Sequence, residues 1–243
     1  MLTSPGALES TRTRTRSGRK LQLALDLTTL EDALHALQRT SDSVDIVEVG
    51  TVLCLSEGLS AVRAIRAAHP ELVLLADIRI AEAGAILSRL AFEAGADWVT
   101  VVSGASPSTF AAVAAQAADR GADVQVELSD GWTWPLVERC RALGIAHFIL
   151  HRSRDAEANG ILAWSERDLE AIDQIHALGG RVSVTGGLSA DQLAAFAPRP
   201  VEIFIAGRAI VDAPDPSQAA ARFRHAVSAL GEPPDQGRPL VAQ

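Results

Sequence analysis

Four carboxylates of this chain each lie at or near the end of a short apolar segment. Asp26 follows LQLAL, Glu48 lies in VDIVEV, Asp77 follows LVLLA and Glu127 lies in DVQVEL. If folding brings the four together, they repel one another unless a positive charge lies among them. A divalent cation meets that need, and a set of oxygen ligands favours Mg²⁺ or Mn²⁺ over zinc. We therefore predict a Mg²⁺ site.

An arrangement without a metal also satisfies these carboxylates. Arg79 comes two residues after Asp77, and Arg154 follows the apolar segment 146–150. Arginine forms bidentate ion pairs with carboxylates, so a network of such pairs is the alternative to a metal site. We rank the metal first and keep both open.

Two glycine-containing segments predict a binding site for an anion. Gly186 and Gly187 follow the segment RVSVT, and Gly207 and Arg208 follow VEIFIA. Glycine lets backbone N–H groups approach an anion closely, and the guanidinium group of arginine adds a fixed positive fork. We predict that the two segments together form one phosphate site.

His151 is the candidate for proton transfer. It follows the apolar segment 146–150 and precedes RSRD, so we expect it to be accessible. Imidazole titrates near neutral pH and can deliver a proton to a carbanion. The other histidines lie in predicted helices, in a loop or at the start of a strand, and we predict that they are structural.

Apolar segments that alternate with helical ones indicate the fold that positions these residues. The predicted strands are 21–25, 44–49, 72–76, 97–102, 123–128, 146–150, 181–185 and 201–206. The predicted helices are 29–40, 57–68, 82–94, 107–119, 134–143, 165–178, 189–195 and 216–230. Apolar strands between amphipathic helices indicate a parallel sheet buried on both faces. Eight such units predict an α/β fold of the (β/α)₈ type, a TIM barrel. The alternative, a doubly wound sheet, needs a G-x-G-x-x-G turn that the first strand lacks.

No linker interrupts the pattern, so we predict one barrel domain over residues 21–231. Residues 1–20 carry four arginines and one lysine against one glutamate and are predicted to be a disordered basic tail. Residues 232–243 are rich in proline and glycine and are predicted to be a second disordered tail. In such a barrel the active site lies at the carboxyl ends of the strands, where the candidate residues stand.

The composition excludes several classes of enzyme. Lys20 is the only lysine in the 243 residues, and we place it in the basic tail. A core without lysine excludes Schiff-base aldolases, enzymes that bind pyridoxal phosphate covalently and P-loop proteins. The chain also has no tyrosine, so no tyrosine acts as an acid or a base.

Charge and cysteine content predict the surroundings of the protein. The net charge is −8, and the basic tail leaves the remainder more acidic still. An acidic body argues against nucleic acid as a partner, and no apolar run reaches the ~18 residues of a membrane span. Cys54 and Cys140 form neither a C-x-x-C pair nor a zinc cluster. We predict a cytoplasmic protein with reduced thiols.

The chain resembles the family of 3-keto-L-gulonate 6-phosphate decarboxylases, within the orotidine 5′-phosphate decarboxylase superfamily. The resemblance covers nearly all of residues 21–230. The matching strings are ALD (24–26), VDIVEVGT (44–51), LADIRIAEAG (75–84), ADWVTV (96–101), DVQVEL (123–128), GWTW (131–134), HRSRDA (151–156), VTGGL (184–188) and FIAGR (204–208). The resemblance to hexulose-6-phosphate synthases of the same superfamily is weaker.

The resemblance implies a homodimer of barrels with shared active sites that removes CO₂ from a 3-keto-hexonate 6-phosphate. The reaction passes through a 1,2-enediolate held by Mg²⁺ and yields a pentulose 5-phosphate. By position, Glu48 and Asp77 resemble the metal-side carboxylates of the family. Asp26 resembles a contact to a substrate hydroxyl, and Glu127 resembles a supporting acid near the intermediate.

The resemblance also implies how the proton and the phosphate are handled. His151 and Arg154 resemble the groups that guide a proton to the enediolate. The residues that resemble the phosphate cradle are Gly186, Gly187, Gly207 and Arg208.

The chain departs from the superfamily at its signature, Asp-x-Lys-x-x-Asp, whose second aspartate reaches the neighbouring subunit's site. Here the signature is Asp77-x-Arg79-x-x-Glu82. Arginine is planar, bulkier and a poorer proton donor than lysine, although it still stabilises an enediolate electrostatically. Glu82 is one methylene longer than aspartate, which suggests size compensation across the dimer. The change is either drift with activity retained or the mark of a different reaction on a related sugar phosphate.

Decarboxylation of a phosphorylated keto-sugar acid is the leading interpretation. An aldolase of the hexulose-6-phosphate synthase type is the nearest rival, because it forms the same enediolate. A pentulose-phosphate epimerase or isomerase would use the enediolate without breaking a carbon–carbon bond. A catalytically weak protein that binds sugar phosphates is the alternative of another class.

Overall fold

Eight parallel strands form a closed barrel in chain order, with the first strand paired to the last. The computed structural model describes residues 18–129, 131–152 and 164–234. The strands are β1 (Lys20–Leu25), β2 (Ile46–Val49), β3 (Val73–Ile80), β4 (Trp98–Val102), β5 (Asp123–Leu128), β6 (His147–His151), β7 (Arg181–Thr185) and β8 (Val201–Ala206). This arrangement confirms the predicted single-domain (β/α)₈ barrel.

Helices follow the strands around the outside of the barrel. The α-helices of the described residues are α1 (Leu30–Thr40), α2 (Thr51–Glu57), α3 (Ser60–Ala68), α4 (Gly84–Glu93), α5 (Pro107–Ala118), α6 (Trp134–Ala142), α7 (Glu166–Ala177), α8 (Arg208–Val211) and α9 (Pro216–Ala229). A 3₁₀ helix spans Ala190–Phe196 after β7. Helices α2 and α8, each of which begins within two residues of a strand end, were not predicted from the sequence.

Alternation along the strands separates two layers of core. Leu21, Leu23 and Leu25 of β1 are fully buried against the helices. Because successive side chains of a strand point to opposite faces, Gln22 and Ala24 point into the barrel. The apolar residues of that inner core are Ala24, Ile46, Leu75, Ile149, Ile203 and Ile205. Leucine spacing in β1 thus fixes which of its polar neighbours can reach the interior.

Strand β3 carries an irregularity that bears on the site. Its residues Ala76 and Ile80 pair with Val99 and Val101 of β4, so the register shifts between them. Three residues of β3 therefore face a single residue of β4, which is a bulge. The predicted strand 72–76 is too short, because the bulge carries β3 on to Ile80.

The amino-terminal boundary of the barrel differs from the prediction. Arg19 is 2% exposed, and its guanidinium group donates to the carbonyl oxygens of Phe196 and Ala197, both at 3.0 Å. Lys20 is the first residue of β1, with its Nζ 3.7 Å from Glu202 Oε1. The assignment of Arg19 and Lys20 to a tail was therefore wrong. Lys20 still lies at the amino end of its strand, away from the carboxyl ends, so the exclusion of lysine chemistry holds there.

Residues 1–17 and 235–243, which make up most of the two predicted tails, lie outside the described residues. Within the described part of the chain, no helix is both long and apolar enough to span a membrane.

Candidate active site

A cavity of about 1000 Å³ opens at the carboxyl ends of the strands. Its lining includes ten of the residues that the sequence analysis singled out: Asp26, Glu48, Asp77, Arg79, Glu127, His151, Gly186, Gly187, Gly207 and Arg208. Glu82 is exposed and does not line the cavity, and Arg154 lies outside the described residues. The barrel thus brings residues from seven strands, or from the turns after them, into one site.

Glu48 and Glu127 are the two buried carboxylates of the site. Glu48 is 9% exposed, and its Oε2 accepts a hydrogen bond of 2.6 Å from Gln22 Nε2 inside the barrel. Burial raises the pKa of Glu48 well above its usual value, and the charges of Asp77 and Asp26 raise it further. The hydrogen bond from Gln22 opposes this shift without cancelling it.

Asp77 lies at the bulge of β3 with both oxygens bonded by hydroxyl groups. Thr100 Oγ1 donates to Oδ1 at 2.6 Å, and Thr51 Oγ1 donates to Oδ2 at 2.5 Å. Burial raises the pKa of Asp77 even though these two hydrogen bonds act to lower it. Asp77, which is half-buried, and Glu48, which is buried, therefore form an acidic pair that would bind a positive charge favourably.

Asp26 completes the acidic side of the cavity from the end of β1. Its Oδ1 lies 3.5 Å from the backbone nitrogen of Val52 in α2. A Cβ atom on Gly50 would lie 2.4 Å from the same oxygen, so only glycine fits there without displacing Asp26. The combined field of the carboxylates is felt by the nearby thiol of Cys54. Burial and the charges of Asp77, Glu48 and Asp26 raise its pKa to about 12.

Glu127 links His151 to Arg79. Its Oε1 lies 2.5 Å from His151 Nδ1, and the same oxygen is paired with the Arg79 guanidinium group. Burial acts to raise the pKa of Glu127, but the hydrogen bond with His151 and the charges of His151 and Arg79 outweigh it, so the pKa is lowered. The ion-pair alternative is thus present in part, at Glu127, while Glu48 and Asp77 have no ion pair among the described residues.

The β7 and β8 turns line the same cavity as the carboxylates. Gly186 and Gly187 have φ of +102° and +57°, and Gly207 precedes Arg208, the first residue of α8. These turns supply backbone N–H groups and a guanidinium group at one end of the cavity, as an anion requires. The side chains of Thr185 and Ser189 also line this end.

Arg152 supports the β7 turn and was missed by the sequence analysis. Its guanidinium group donates to the carbonyl oxygen of Gly186 at 2.5 Å and lies over the Trp164 ring, 5.6 Å from the ring centre. Its own carbonyl oxygen lies 2.1 Å from where a Cβ of Gly186 would be. Arg152 follows His151 directly, but no pattern in the sequence showed which of the arginines after β6 turns toward β7.

The carboxylate groups of the cavity are chemically suited to bind a divalent cation. Among the described residues, no group of three or more histidine, cysteine, aspartate or glutamate side chains is arranged around a metal position. Mg²⁺, however, is commonly held by one or two carboxylates together with substrate oxygens and water. Glu48 and Asp77 supply two such carboxylates, and burial, with a smaller contribution from neighbouring carboxylates, raises the pKa of each.

Replacing Glu48 with glutamine is expected to stabilise the protein while lowering its activity. Because the folded-state pKa of Glu48 is raised, the charged form destabilises the fold at neutral pH, and this cost disappears as the pH falls below about 4.3, the unfolded value. We expect a rise in Tm of about 2–4 °C at pH 7 in the presence of a chelator, which corresponds to about 1 kcal/mol. The gain should vanish near pH 4. Glu71→Gln, at an exposed position, is the control, and a fall in Tm for Glu48→Gln at pH 7 would contradict the account.

Comparison with known proteins identifies relatives of the chain. Residues 19–223 match the family described as Orotidine 5'-phosphate decarboxylase / HUMPS family. The chain is 45% identical over 210 residues to the 3-keto-L-gulonate-6-phosphate decarboxylase UlaD of Escherichia coli (strain UMN026), which covers 86% of this chain and 97% of that protein.

Solved structures agree with this placement. The 3-keto-L-gulonate-6-phosphate decarboxylase of Vibrio cholerae is 40% identical with a TM-score of 0.82, covering 88% of this chain and 99% of its own. The 3-hexulose-6-phosphate synthase of Salmonella typhimurium is 32% identical with a TM-score of 0.81, covering 87% and 99%. The resemblance inferred from the short strings above is thereby confirmed.

Proposed function

We propose that this chain, which belongs to the Orotidine 5'-phosphate decarboxylase / HUMPS family, decarboxylates 3-keto-L-gulonate 6-phosphate to a pentulose 5-phosphate. As a member of that family it is a carboxy-lyase. The observation that carries the proposal is a single cavity with an acidic group, a Glu127–His151 pair and a glycine–arginine turn at separate positions. A 3-keto sugar acid with a terminal phosphate suits these three parts. Its phosphate matches the glycine–arginine turn, its enediolate oxygens match the acidic group, and the carbon that gains a proton matches the Glu127–His151 pair.

The phosphate end of the substrate would bind at the β7 and β8 turns. Backbone N–H groups of Gly186, Gly187 and Gly207 and the guanidinium group of Arg208 would neutralise its charge. Binding at this end, remote from the bond that breaks, orients the rest of the substrate toward the carboxylates. Asp26, at the end of the neighbouring strand β1, would accept a hydrogen bond from a substrate hydroxyl.

Decarboxylation breaks the bond between the carboxylate carbon and its neighbour. CO₂ leaves, and the electron pair of the bond passes into the adjacent carbonyl group to give a 1,2-enediolate. Arg79, held beside Glu127, would stabilise the negative charge that develops. Its guanidinium group keeps its proton, so it contributes charge and no proton.

A proton must then be added to the carbon that lost CO₂. His151 is positioned for this step because its Nδ1 is bonded to Glu127, which leaves Nε2 for transfer to the substrate. The lowered pKa of Glu127 keeps this carboxylate charged, and a charged carboxylate accepts the hydrogen bond that orients the ring. Arg154, which lies outside the described residues, is proposed to assist His151 as the resemblance implies.

The proposal includes Mg²⁺ held by Glu48 and Asp77. When bound, the ion would stabilise the oxygens of the enediolate as a Lewis acid.

The 3-hexulose-6-phosphate synthase relative supports a second candidate, aldol addition of the same enediolate to formaldehyde. Turnover of a panel of keto-sugar phosphates with Mg²⁺ distinguishes the candidates. CO₂ release supports the decarboxylase, and consumption of formaldehyde supports the synthase. Proton exchange without cleavage would indicate an epimerase or isomerase, and tight binding without turnover would indicate a binding protein.

We also propose a homodimer in the cytoplasm. Glu82 is exposed and lies outside the cavity of its own chain, as expected for a residue that serves a neighbouring site. Leu55 of α2 and Ile86 of α4 are 83% and 56% exposed, which leaves apolar surface near the same end of the barrel. The cytoplasmic location rests on the two free cysteines, Cys54 and Cys140.

The double variant Arg79→Lys, Glu82→Asp tests whether the altered signature is drift with activity retained or the mark of a different reaction. If the present pair is adapted drift, we expect the double variant to keep or raise decarboxylation of 3-keto-L-gulonate 6-phosphate. Each single variant should be less active than the double, because residues that share a cavity couple by about 0.5–3 kcal/mol. A poorly active parent whose double variant gains activity would indicate that the natural reaction differs. Additive effects would show that the two positions do not meet across the dimer.

A further inference from the structure

We propose that Thr100 of β4 is a positioning residue whose hydroxyl group holds the bulge of β3 in the shape that orients Asp77 and Arg79. The effect on turnover rests on the proposed function, whereas the effect on geometry does not. Thr100 is 1% exposed and does not line the cavity. It therefore acts through its neighbours and makes no contact with a substrate.

The hydroxyl group of Thr100 makes two hydrogen bonds to the bulge. Its Oγ1 donates to Asp77 Oδ1 at 2.6 Å and accepts from the backbone nitrogen of Arg79 at 3.0 Å. A carboxylate only accepts and an N–H only donates, so the direction of both bonds is fixed. One side-chain atom thus joins the carboxylate and the backbone of two candidate active-site residues.

The backbone at Arg79 needs such a partner. Its φ is +46°, in the left-handed region that residues other than glycine seldom adopt. Strain of this kind costs about 1–3 kcal/mol and persists only where the surroundings hold it in place. Thr100 lies in β4 between Val99 and Val101, the two residues that pair with the ends of the bulge. It is therefore the residue of β4 that the strained segment faces.

The geometry separates the role of Thr100 from that of Thr51. Thr51 bonds the other oxygen of Asp77, but it lines the cavity at the start of α2. A substrate or ion can therefore rearrange Thr51, while Thr100 lies behind the site. Without the Thr100 hydroxyl group, the Asp77 carboxylate would keep only its hydrogen bond with Thr51 and could rotate. The backbone N–H of Arg79 would also lose its hydrogen-bond acceptor.

The test compares Thr100→Val, which has nearly the same shape without a hydroxyl group, with Thr100→Ser, which keeps it. We expect the valine variant to lose about 10–100-fold in kcat, the range typical of residues that orient a functional group. Its KM should stay within about threefold, because the phosphate turns are untouched. The serine variant should stay within about threefold of wild type in kcat, as expected of a substitution that keeps the interaction.

A crystal structure of the valine variant supplies a readout that does not depend on turnover. We expect Asp77 Oδ1 to move from its position or Arg79 to leave the left-handed region. Thr40→Val is the matched control, because Thr40 is also 1% exposed and its Oγ1 donates to the Ala36 carbonyl in α1, outside the site. If the valine variant does not fold, Thr100→Ala and Thr100→Ser give the same comparison.

Unchanged kcat in a folded valine variant, with Asp77 and Arg79 in their present positions, would overturn the inference. So would a loss of activity that serine does not restore. If wild-type protein releases no CO₂ from 3-keto-L-gulonate 6-phosphate, the proposed function fails. The crystal structure would still decide the role of Thr100.

Discussion

Asp77→Asn is expected to lower kcat/KM for 3-keto-L-gulonate 6-phosphate by about 10³-fold, which corresponds to about 4 kcal/mol of transition-state stabilisation. The substitution keeps the shape of the side chain and removes its charge from the acidic side of the cavity. In the variant an amide NH₂ group replaces one carboxylate oxygen, so the hydroxyl group of either Thr51 or Thr100 loses the acceptor of its hydrogen bond. The substitution therefore removes the negative charge and also one of the two hydrogen bonds that orient the side chain.

The measurement is steady-state kinetics at several Mg²⁺ concentrations. We expect the variant to require more Mg²⁺ for half-maximal rate, since one of two proposed ligands is weakened. Asp119→Asn is the control, because Asp119 is exposed at the end of α5, outside the cavity lining. Activity of Asp77→Asn that matches wild type, or a rate that is unaffected by exhaustive chelation, would show that Asp77 is not a metal ligand.

Gly186→Ala should weaken substrate binding more than any other small substitution at the phosphate end. A Cβ at this position would lie 2.1 Å from the Arg152 carbonyl oxygen, and the φ of +102° is unfavourable for alanine. The β7 turn must therefore move, and its N–H groups leave the phosphate. We expect KM to rise at least about tenfold, which is 1.4 kcal/mol of binding, together with a loss of about 1–3 kcal/mol in stability.

Gly121→Ala is the control that distinguishes the effect of backbone strain from the effect of a change at the phosphate site. Gly121 has φ of +61°, but nothing lies within 4 Å of the Cβ it would gain, and it belongs to the turn before β5. This control should lose stability by about 1 kcal/mol with KM unchanged. Inhibition by inorganic phosphate provides a second readout of the same turn. An unchanged KM and phosphate inhibition in Gly186→Ala would remove the β7 turn from the proposed phosphate site.

The positions of the acidic residues were predictable because each follows from strand periodicity. Leu21, Leu23 and Leu25 place Asp26 at the carboxyl end of β1, and the same alternation carries Glu48 and Glu127 to that end of β2 and β5. In a closed parallel barrel these ends converge, so the residues meet even though they are far apart in the sequence.

The bulge of β3 was not predictable in this way. Its segment DIRI (77–80) has the polar–apolar alternation of a regular strand, and nothing in it marks Arg79 for a left-handed conformation. The conformation depends on Thr100, which belongs to another strand. Contacts of this kind arise from tertiary pairing, and local sequence patterns do not contain them.

Arg152 and Gln22 were missed for related reasons. Gln22 looked like one polar residue among leucines, yet inside the barrel it donates to Glu48. Arg152 is one of two arginines after His151, and its contact to Gly186 depends on how β6 and β7 lie side by side. The error at Arg19 and Lys20 came from composition, because a run of basic residues hid the start of β1.

Release of CO₂ from 3-keto-L-gulonate 6-phosphate labelled with ¹³C at its carboxyl carbon tests the proposed function most directly. The account predicts labelled CO₂ and an unlabelled pentulose 5-phosphate in equal amounts, in the presence of Mg²⁺ and without added formaldehyde. No labelled CO₂ from the folded wild-type protein, with the substrate recovered intact, would contradict it.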